Sequence, residues 1–255
     1  MKCNVMNLAI DIGNSMTKMA VLKDHQIVDT FRVENPDEKF FDQLFKRYPK
    51  IDSAIAVSTK TDGDDCLEYV KKRVSQYFWF DDALEIPIKN LYDSPKTLGH
   101  DRMAGAVAAA AVYPNSNILI VDFGTAITVD FVSAQGEFFG GVISPGLKMR
   151  FNALHEFTHS LPLCDVPEQV ELTPKKTESA IGSGVVNGIV FEIQGYLDHY
   201  MEKYPDLRIV FTGGDGDYFA RWFKYPMMAT RDLVVYGLSR ILEYNVQLSK
   251  NNANR

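Results

Sequence analysis

The chain has few cysteines and no dense run of basic residues. Its three cysteines, Cys3, Cys66 and Cys164, lie far apart and form no Cys-x-x-Cys pair. This argues against a disulfide framework or a structural zinc site and predicts a reducing, cytoplasmic setting. The formal net charge is −6. Because nucleic-acid binding usually leaves a basic footprint, we expect no nucleic-acid partner.

Long apolar runs are also missing. No uninterrupted apolar stretch reaches the length of a membrane span, and the first six residues lead directly into a predicted strand. We therefore expect neither a membrane partner nor a signal peptide. The 255 residues are 46% hydrophobic and 24% charged, which is typical of a globular protein with a sizeable core, in one large domain or two of moderate size.

Two short apolar runs each end in an aspartate that is followed two residues later by a glycine. Residues 6–10 precede Asp11-Ile12-Gly13, and residues 118–121 precede Asp122-Phe123-Gly124-Thr125. A buried strand that enters such a tight turn can direct backbone N–H groups at a phosphate, while the carboxylate binds Mg²⁺ through water. One such turn alone is more often an ordinary hairpin turn. Two of them, near the start and near the middle of the chain, predict a duplicated fold.

Strands alternate with helices after each of these hairpins, which predicts an α/β fold. In the first half we expect a helix from Pro36, another over residues 65–74 and a short strand over residues 84–88. The fold predicted is a duplicated actin-like (ribonuclease H-like) one. Each half, residues 1–115 and 116–255, would have a mixed sheet flanked by helices, with the active site in the cleft between them. At the level of fold alone, this analogy fixes no substrate.

Two further motifs are ambiguous by spacing alone. Gly99-His100-Asp101-Arg102 precedes an alanine-rich helix, and Asp101 there is readily explained as a carboxylate that interacts with the helix dipole. His155-Glu156-Phe157-Thr158-His159 has the H-E-x-x-H form of zinc proteases. Because its helix must stop near Leu161-Pro162 and no third ligand follows, we favour two surface histidines. Thr177 is the predicted N-cap of a long helix that ends near Tyr204.

Taken together, six short motifs resemble those of the type III pantothenate kinases, a branch of the acetate and sugar kinase/Hsp70/actin superfamily. The motifs are Asp11-x-Gly13-Asn14-Ser15-x-x-Lys18, Gly99-x-Asp101-Arg102 with Tyr92 upstream, Asp122-x-Gly124-Thr125-Ala126-x-Thr128-x-Asp130, Gly140-Gly141-x-Ile143-x-Pro145-Gly146, Thr177-x-x-Ala180-Ile181 and Thr212-Gly213-Gly214. Each is weak alone, but six in this order are specific. His100 departs from the family, which commonly has a small residue such as alanine there.

The resemblance implies ATP-dependent phosphorylation of pantothenate to 4'-phosphopantothenate, the first step of coenzyme A biosynthesis. It implies Mg²⁺, a monovalent cation (K⁺ or NH₄⁺) and a homodimer, and it makes Asp101 the general base. The implied nucleotide-binding residues are Asp11, Ile12, Gly13, Asn14, Ser15, Met16, Thr17, Lys18, Asp122, Gly124, Thr125, Ser133, Gly213 and Gly214. The implied pantothenate-binding residues are Tyr92, Gly99, His100, Asp101, Arg102 and Thr177. Asp11 would hold Mg²⁺ through water, and Asp130 would bind K⁺.

Two alternatives stay open at this point. The chain could be a kinase of the same fold that acts on another small hydroxylated substrate. It could also be a non-catalytic relative that binds ATP or a pantothenate-like ligand and regulates a partner. The presence of Asp11, Asp101 and Asp122 favours catalysis, since a binding module has no need of a base at Asp101.

Overall fold

The computed structural model describes residues 5–13, 16–58 and 65–253. The chain forms two compact units: the first contains residues 1–114, 136–138 and 232–255, and the second contains residues 115–135 and 139–231. The expected boundary at 115/116 lies beside the break after Pro114, but the last helix groups with the first unit. No helix within the described ranges is long and apolar enough to cross a membrane.

The regular elements follow the chain in an order that is similar in the two units. They are β1 (Met6–Ile12), β2 (Thr17–Lys23), β3 (Gln26–Val33), α1 (Glu38–Arg47), β4 (Ile51–Ser58), α2 (Asp65–Lys71), β5 (Gln76–Trp79), β6 (Lys89–Asn90), α3 (His100–Val112), β7 (Ile118–Phe123), β8 (Ala126–Val132), β9 (Glu137–Pro145), α4 (Leu147–Glu156), α5 (Thr177–Lys203), β10 (Arg208–Thr212), α6 (Gly216–Ala220), β11 (Met227–Ala229) and α7 (Leu233–Ala253).

The sheet of the first unit has the strand order β3-β2-β1-β4-β5. β1 pairs antiparallel with β2 and parallel with β4. Leu8, Ile10 and Ile12 alternate along β1 into the core that α1 covers, as expected for a strand with a period of two residues. α1 begins after Asp37 rather than at Pro36, because the Asp37 carboxylate accepts a hydrogen bond of 2.8 Å from the N–H of Phe40.

The alanine-rich helix α3 packs closely against α7 in the first unit. A Cβ added to Gly237 of α7 would overlap the carbonyl oxygen of Ala104 in α3, so the two backbones approach each other directly. The amide of Asn245 in α7 also donates a 2.8 Å hydrogen bond to the carbonyl of Glu85. The last helix therefore completes the core of the first unit, although it is far from α3 in sequence.

The sheet of the second unit repeats the plan of the first. Its strands have the order β9-β8-β7-β10-β11, with β7 antiparallel to β8 and parallel to β10. Glu137 and Phe138 at the start of β9 group with the first unit, where they pair with β6. Asp11 of β1 and Asp122 of β7 hold equivalent positions, each at the end of a strand between an antiparallel and a parallel neighbour. The structure thus confirms the predicted duplication.

One face of the second sheet is covered by α5. Ile181, Val185 and Ile189 recur along α5 at intervals of four residues and pack in one cluster with Val121 and Phe123 of β7. Because side chains alternate along a strand, Asp122 lies on the opposite face of the sheet.

The H-E-x-x-H sequence does not place its two histidines on one helical face. α4 ends at Glu156, so His159 lies beyond the helix. His155 Nδ1 is 2.9 Å from the carbonyl oxygen of Leu161. The structure therefore gives this motif no zinc-protease geometry.

Candidate active site

The first predicted phosphate turn joins β1 to β2. Asp11 is only 5% exposed, and its Oδ2 lies 3.9 Å from Nζ of Lys18, its register partner on β2. The N–H of Gly13 donates a 3.1 Å hydrogen bond to the carbonyl of Met16, which closes the turn. Asn14 and Ser15 lie outside the described residues. The turn therefore presents a buried carboxylate beside the ammonium group of Lys18.

The second predicted phosphate turn, Gly124-Thr125, joins β7 to β8 and meets the end of β10. Gly213 follows β10 with a positive φ of 91°. A Cβ added there would overlap Oδ1 of Asp122 and lie 2.5 Å from the carbonyl carbon and oxygen of Phe123. The Thr212-Gly213-Gly214 motif therefore lies in direct contact with the turn that contains Asp122, and both belong to the second unit.

The start of α4 reaches the same turn. The N–H of Gly146 donates a 3.1 Å hydrogen bond to the carbonyl of Thr125. A Cβ at Gly146 would overlap the carbonyl oxygens of Gly124 and Thr125, so only glycine fits without a shift. Three of the six sequence motifs thus meet at one place in the second unit.

The Gly99-x-Asp101-Arg102 motif forms the first turn of α3. Asp101 Oδ1 accepts a 2.9 Å hydrogen bond from the N–H of Arg102, and it occupies the position that a Cβ on Gly99 would need. The Arg102 guanidinium lies 5.7 Å from the centre of the Tyr92 ring, at a distance typical of a cation–π contact. The structure therefore brings four predicted pantothenate-binding residues together: Tyr92, Gly99, Asp101 and Arg102.

His100 points to a different neighbourhood from Asp101. Its Nε2 lies 3.1 Å from Oδ1 of Asp82, and its ring meets that of Phe80 edge to face, 5.0 Å between centres. The ring lines a cavity of about 90 Å³ whose wall also includes Leu98. The histidine that departs from the family pattern is thus held by this chain's own side chains.

The remaining predicted site residues do not lie at the turns. Ser133 comes after the last residue of β8 and accepts a 3.3 Å hydrogen bond from the N–H of Gln135. The seven-residue strand β8 separates it from Thr125 by about 23 Å at 3.3 Å per residue. The ATP contact that the resemblance implies for Ser133 stays a prediction. Asp130 lies inside β8 with 2% exposure, and Thr177 is exposed at the start of α5.

Asp215 is a residue of this region that the sequence did not single out. It follows Gly213-Gly214, and its N–H donates a 3.1 Å hydrogen bond to the carbonyl of Phe123. Burial raises the pKa of its carboxyl, an effect that the positive charges of Lys148 and Arg231 partly offset. The sequence could have pointed to Asp215 by one feature, its position directly after two glycines at the end of a strand.

The donor set fits a magnesium ion that keeps most of its water. Within the described ranges, no three His, Cys, Asp or Glu side chains converge on a point that could hold a metal ion. Mg²⁺ in nucleotide-binding proteins commonly takes one or two carboxylates, substrate phosphates and several waters. In the first unit Asp11 supplies one carboxylate of this kind at a strand end, and in the second unit Asp122 separately supplies another.

The comparison with known proteins agrees with these motifs. The family model of the type III pantothenate kinases matches residues 7–199. A relative from Phocaeicola vulgatus with that name is 39% identical, covering 95% of this chain and 100% of its own length. Another from Bacteroides fragilis is 42% identical, with 94% and 98% covered.

A solved structure has a similar fold. It is described as a Baf family transcriptional activator from Campylobacter jejuni. It has a TM-score of 0.64 and 23% identity, and the match covers 94% of this chain and 99% of that one. At this identity the likeness concerns the fold alone, and it agrees with the predicted duplicated α/β architecture.

Proposed function

The chain belongs to the type III pantothenate kinase family, and we propose that Asp101 is its general base. The activity is the ATP-dependent phosphorylation of pantothenate to 4'-phosphopantothenate, which opens coenzyme A biosynthesis. The observation that carries the assignment of the base is the placement of Asp101 beside Gly99, with Arg102 against Tyr92.

Asp101 would accept the proton of the primary hydroxyl of pantothenate as that oxygen attacks the γ-phosphorus of ATP. Its Oδ1 is held by the N–H of Arg102, so the orientation of the carboxylate is set before the substrate binds. A general base must lie within hydrogen-bond reach of the hydroxyl it deprotonates. Phosphoryl transfer otherwise asks the protein mainly for positioning and charge neutralisation.

Arg102 and Tyr92 would bind the substrate. Pantothenate carries a carboxylate, and a guanidinium forms strong, charge-assisted hydrogen bonds to such a group. The ring of Tyr92 lies against the Arg102 guanidinium and limits the directions in which its N–H groups point. Thr177 would add a hydrogen bond to pantothenate, as the family resemblance implies.

The turns of Asp11 and Asp122 would bind the nucleotide. Lys18 and the backbone N–H groups near Gly13, Gly124 and Gly213 would contact phosphate oxygens. Asp11 would hold Mg²⁺ through water. When bound, Mg²⁺ supplies positive charge that offsets the charge of the phosphates.

Three finer assignments follow from the family resemblance. K⁺ or NH₄⁺ would bind at Asp130, which is buried within β8. The protein would act as a homodimer. It would work in the cytoplasm, as the widely separated cysteines also suggest.

The test is ADP release with ATP, Mg²⁺ and pantothenate, in K⁺ and in Na⁺, for the wild type and Asp101→Asn. We expect turnover that needs K⁺ and a kcat about 100-fold lower or more in the variant, with little change in KM. Asp206→Asn, a change to an exposed aspartate in a turn, is the matched control. An unchanged kcat in Asp101→Asn would remove the assignment of the base.

A further inference from the structure

Asp215 lies at the point where β10 ends against the Asp122 turn. Gly213 contacts Asp122 itself, and the N–H of Asp215 bonds to the carbonyl of the next residue of the turn, Phe123. The backbone of Asp215 is thus fixed with respect to the loop that would hold the phosphates. Gly214 lies between Gly213 and Asp215 in the sequence. A Cβ added to Gly214 would meet nothing within 4 Å, so this side of the backbone is open to a ligand.

The carboxylate of Asp215 is half-buried, and within the described part of the chain it has no hydrogen bond or ion pair. It precedes α6 but makes no side-chain capping bond to that helix. Asp217, two residues later, is a useful contrast because it is exposed and forms a 2.8 Å ion pair with Arg231. Burial raises the pKa of the Asp215 carboxyl. A half-buried carboxylate without a partner is costly unless a ligand supplies donors.

The position of Asp215 beside the Asp122 turn indicates which kind of ligand group could donate hydrogen bonds to its carboxylate. Phosphate oxygens would be repelled by a carboxylate, so the ligand group at Asp215 must be a neutral or positive hydrogen-bond donor. In a nucleotide whose phosphates lie at the Asp122 turn, the next donors along the molecule are the two ribose hydroxyls. An acidic side chain near a strand end can accept hydrogen bonds from ribose in this way.

We propose that the Asp215 carboxylate accepts hydrogen bonds from the ribose hydroxyls of ATP and so makes the enzyme prefer ribonucleotides to 2'-deoxyribonucleotides. This rests on the proposed function, since it takes ATP as the nucleotide bound at the Asp122 turn. Asp215 is thereby a specificity-determining residue of the nucleotide site.

Direct binding tests the proposal without relying on turnover. Calorimetry with Mg²⁺ and either ATP or 2'-deoxyATP, in the absence of pantothenate, gives the ratio of the two Kd values. We expect the wild type to bind ATP about 10-fold more tightly or better, the range for hydrogen bonds to a charged group. Asp215→Ala should bring the ratio close to one, and Asp206→Ala, a change to an exposed aspartate in a turn, should leave it at the wild-type value.

Asp215→Asn, which keeps the shape of the side chain, provides a second measurement should the alanine variant fold poorly, and it should lower the ratio. Equal Kd values in the wild type would overturn the proposal, as would a wild-type ratio in both Asp215 variants. ADP formation with pantothenate in the wild type tests the proposed function separately, so the two failures are distinguishable.

Discussion

Gly213 lies directly on Asp122, leaving no room for a side chain between the end of β10 and the carboxylate of the second phosphate turn. The two residues belong to motifs about 90 positions apart, as the sequence shows. Parallel pairing of Thr212 with Asp122 puts them at one edge of the sheet. The glycine is thus a direct part of the geometry of the turn.

Gly213→Ala should destabilise the protein and weaken ATP binding. The added methyl group would overlap the Asp122 carboxylate, and the φ of 91° is strained for an L-residue. Such strain typically costs about 1–3 kcal/mol. Urea unfolding and calorimetric titration with ATP would measure both effects. Gly214→Ala is the matched control for stability alone, since its methyl group meets no protein atom within 4 Å and should change stability by no more than roughly 0.5 kcal/mol. Equal losses of stability in the two variants would contradict the prediction.

Gly99→Ala should lower kcat with little loss of stability. Its Cβ would displace the Asp101 carboxylate rather than backbone, and a side chain can rotate away. A misplaced base costs rate, by about 100-fold for an error near 1 Å. Steady-state kinetics and thermal unfolding would separate the two effects. Gly105→Ala, in the same helix, would make only an ordinary 3.7 Å contact with Leu233 and should retain activity.

Gly237→Ala should strongly destabilise the first unit. The methyl group would overlap the carbonyl oxygen of Ala104 and lie 3.2 Å from its Cα, so α3 and α7 would have to separate. Overpacking of this kind costs about 3 kcal/mol. Trp79 is the tryptophan of the first unit, so its fluorescence in a Trp222→Phe background follows the unfolding of that unit.

The opposite result is expected for a glycine in α5. Gly195→Ala meets nothing within 4 Å, and replacing a glycine inside a helix usually stabilises by roughly 0.5–1 kcal/mol. If both glycine variants were equally destabilised, close packing of α3 on α7 would not be the cause.

Asp215→Asn should raise Tm at pH 7.5, with a difference that shrinks on acidification. The pKa of Asp215 is raised in the folded state by burial, so the folded state binds more protons than the unfolded state between the two pKa values. The free energy of unfolding therefore falls as the pH rises through this interval. An asparagine carries no charge and removes the penalty. Thermal unfolding between pH 7.5 and the ordinary aspartate pKa of 3.8 measures the trend.

Asp198→Asn is a control of opposite sign. Hydrogen bonds from Tyr225 and Gln194 lower the pKa of Asp198, so its contribution to stability is present at neutral pH and is lost on acidification. The asparagine variant should therefore have the lower Tm at pH 7.5. A rise in both variants would show that general surface charge, and not burial, is responsible.

The hairpins and the duplicated fold were predictable because local pattern determines them. In β8, for example, Ile127, Val129 and Phe131 alternate with polar residues, which is the pattern of a strand with one buried face. The strand predicted over residues 84–88 was wrong: this segment has no regular secondary structure, and the edge strand is β5, which pairs with β4. Thr177 is the first residue of α5 and not its N-cap, which is Lys176.

Contacts between residues that are far apart in the sequence could not be predicted from local sequence patterns. That Gly213 meets Asp122 depends on the parallel pairing of β10 with β7. Asp215 stands out only once its burial and its lack of a side-chain partner within the described residues are known. Ser133 was assigned by resemblance, and its position after the last residue of β8 is a feature of the fold that the motif alone does not give.

The position of α7 has a consequence for how the protein is made. A ribosome delivers residues 115–231 before residues 232–255, so all of the second unit can emerge while the first still lacks the helix that packs on α3. The half that is synthesised first is therefore the half that is completed last. Until the final residues are synthesised, the alanine-rich face of α3 is not covered by α7. The Gly99-x-Asp101-Arg102 motif at the start of α3 therefore belongs to an incompletely folded unit during synthesis.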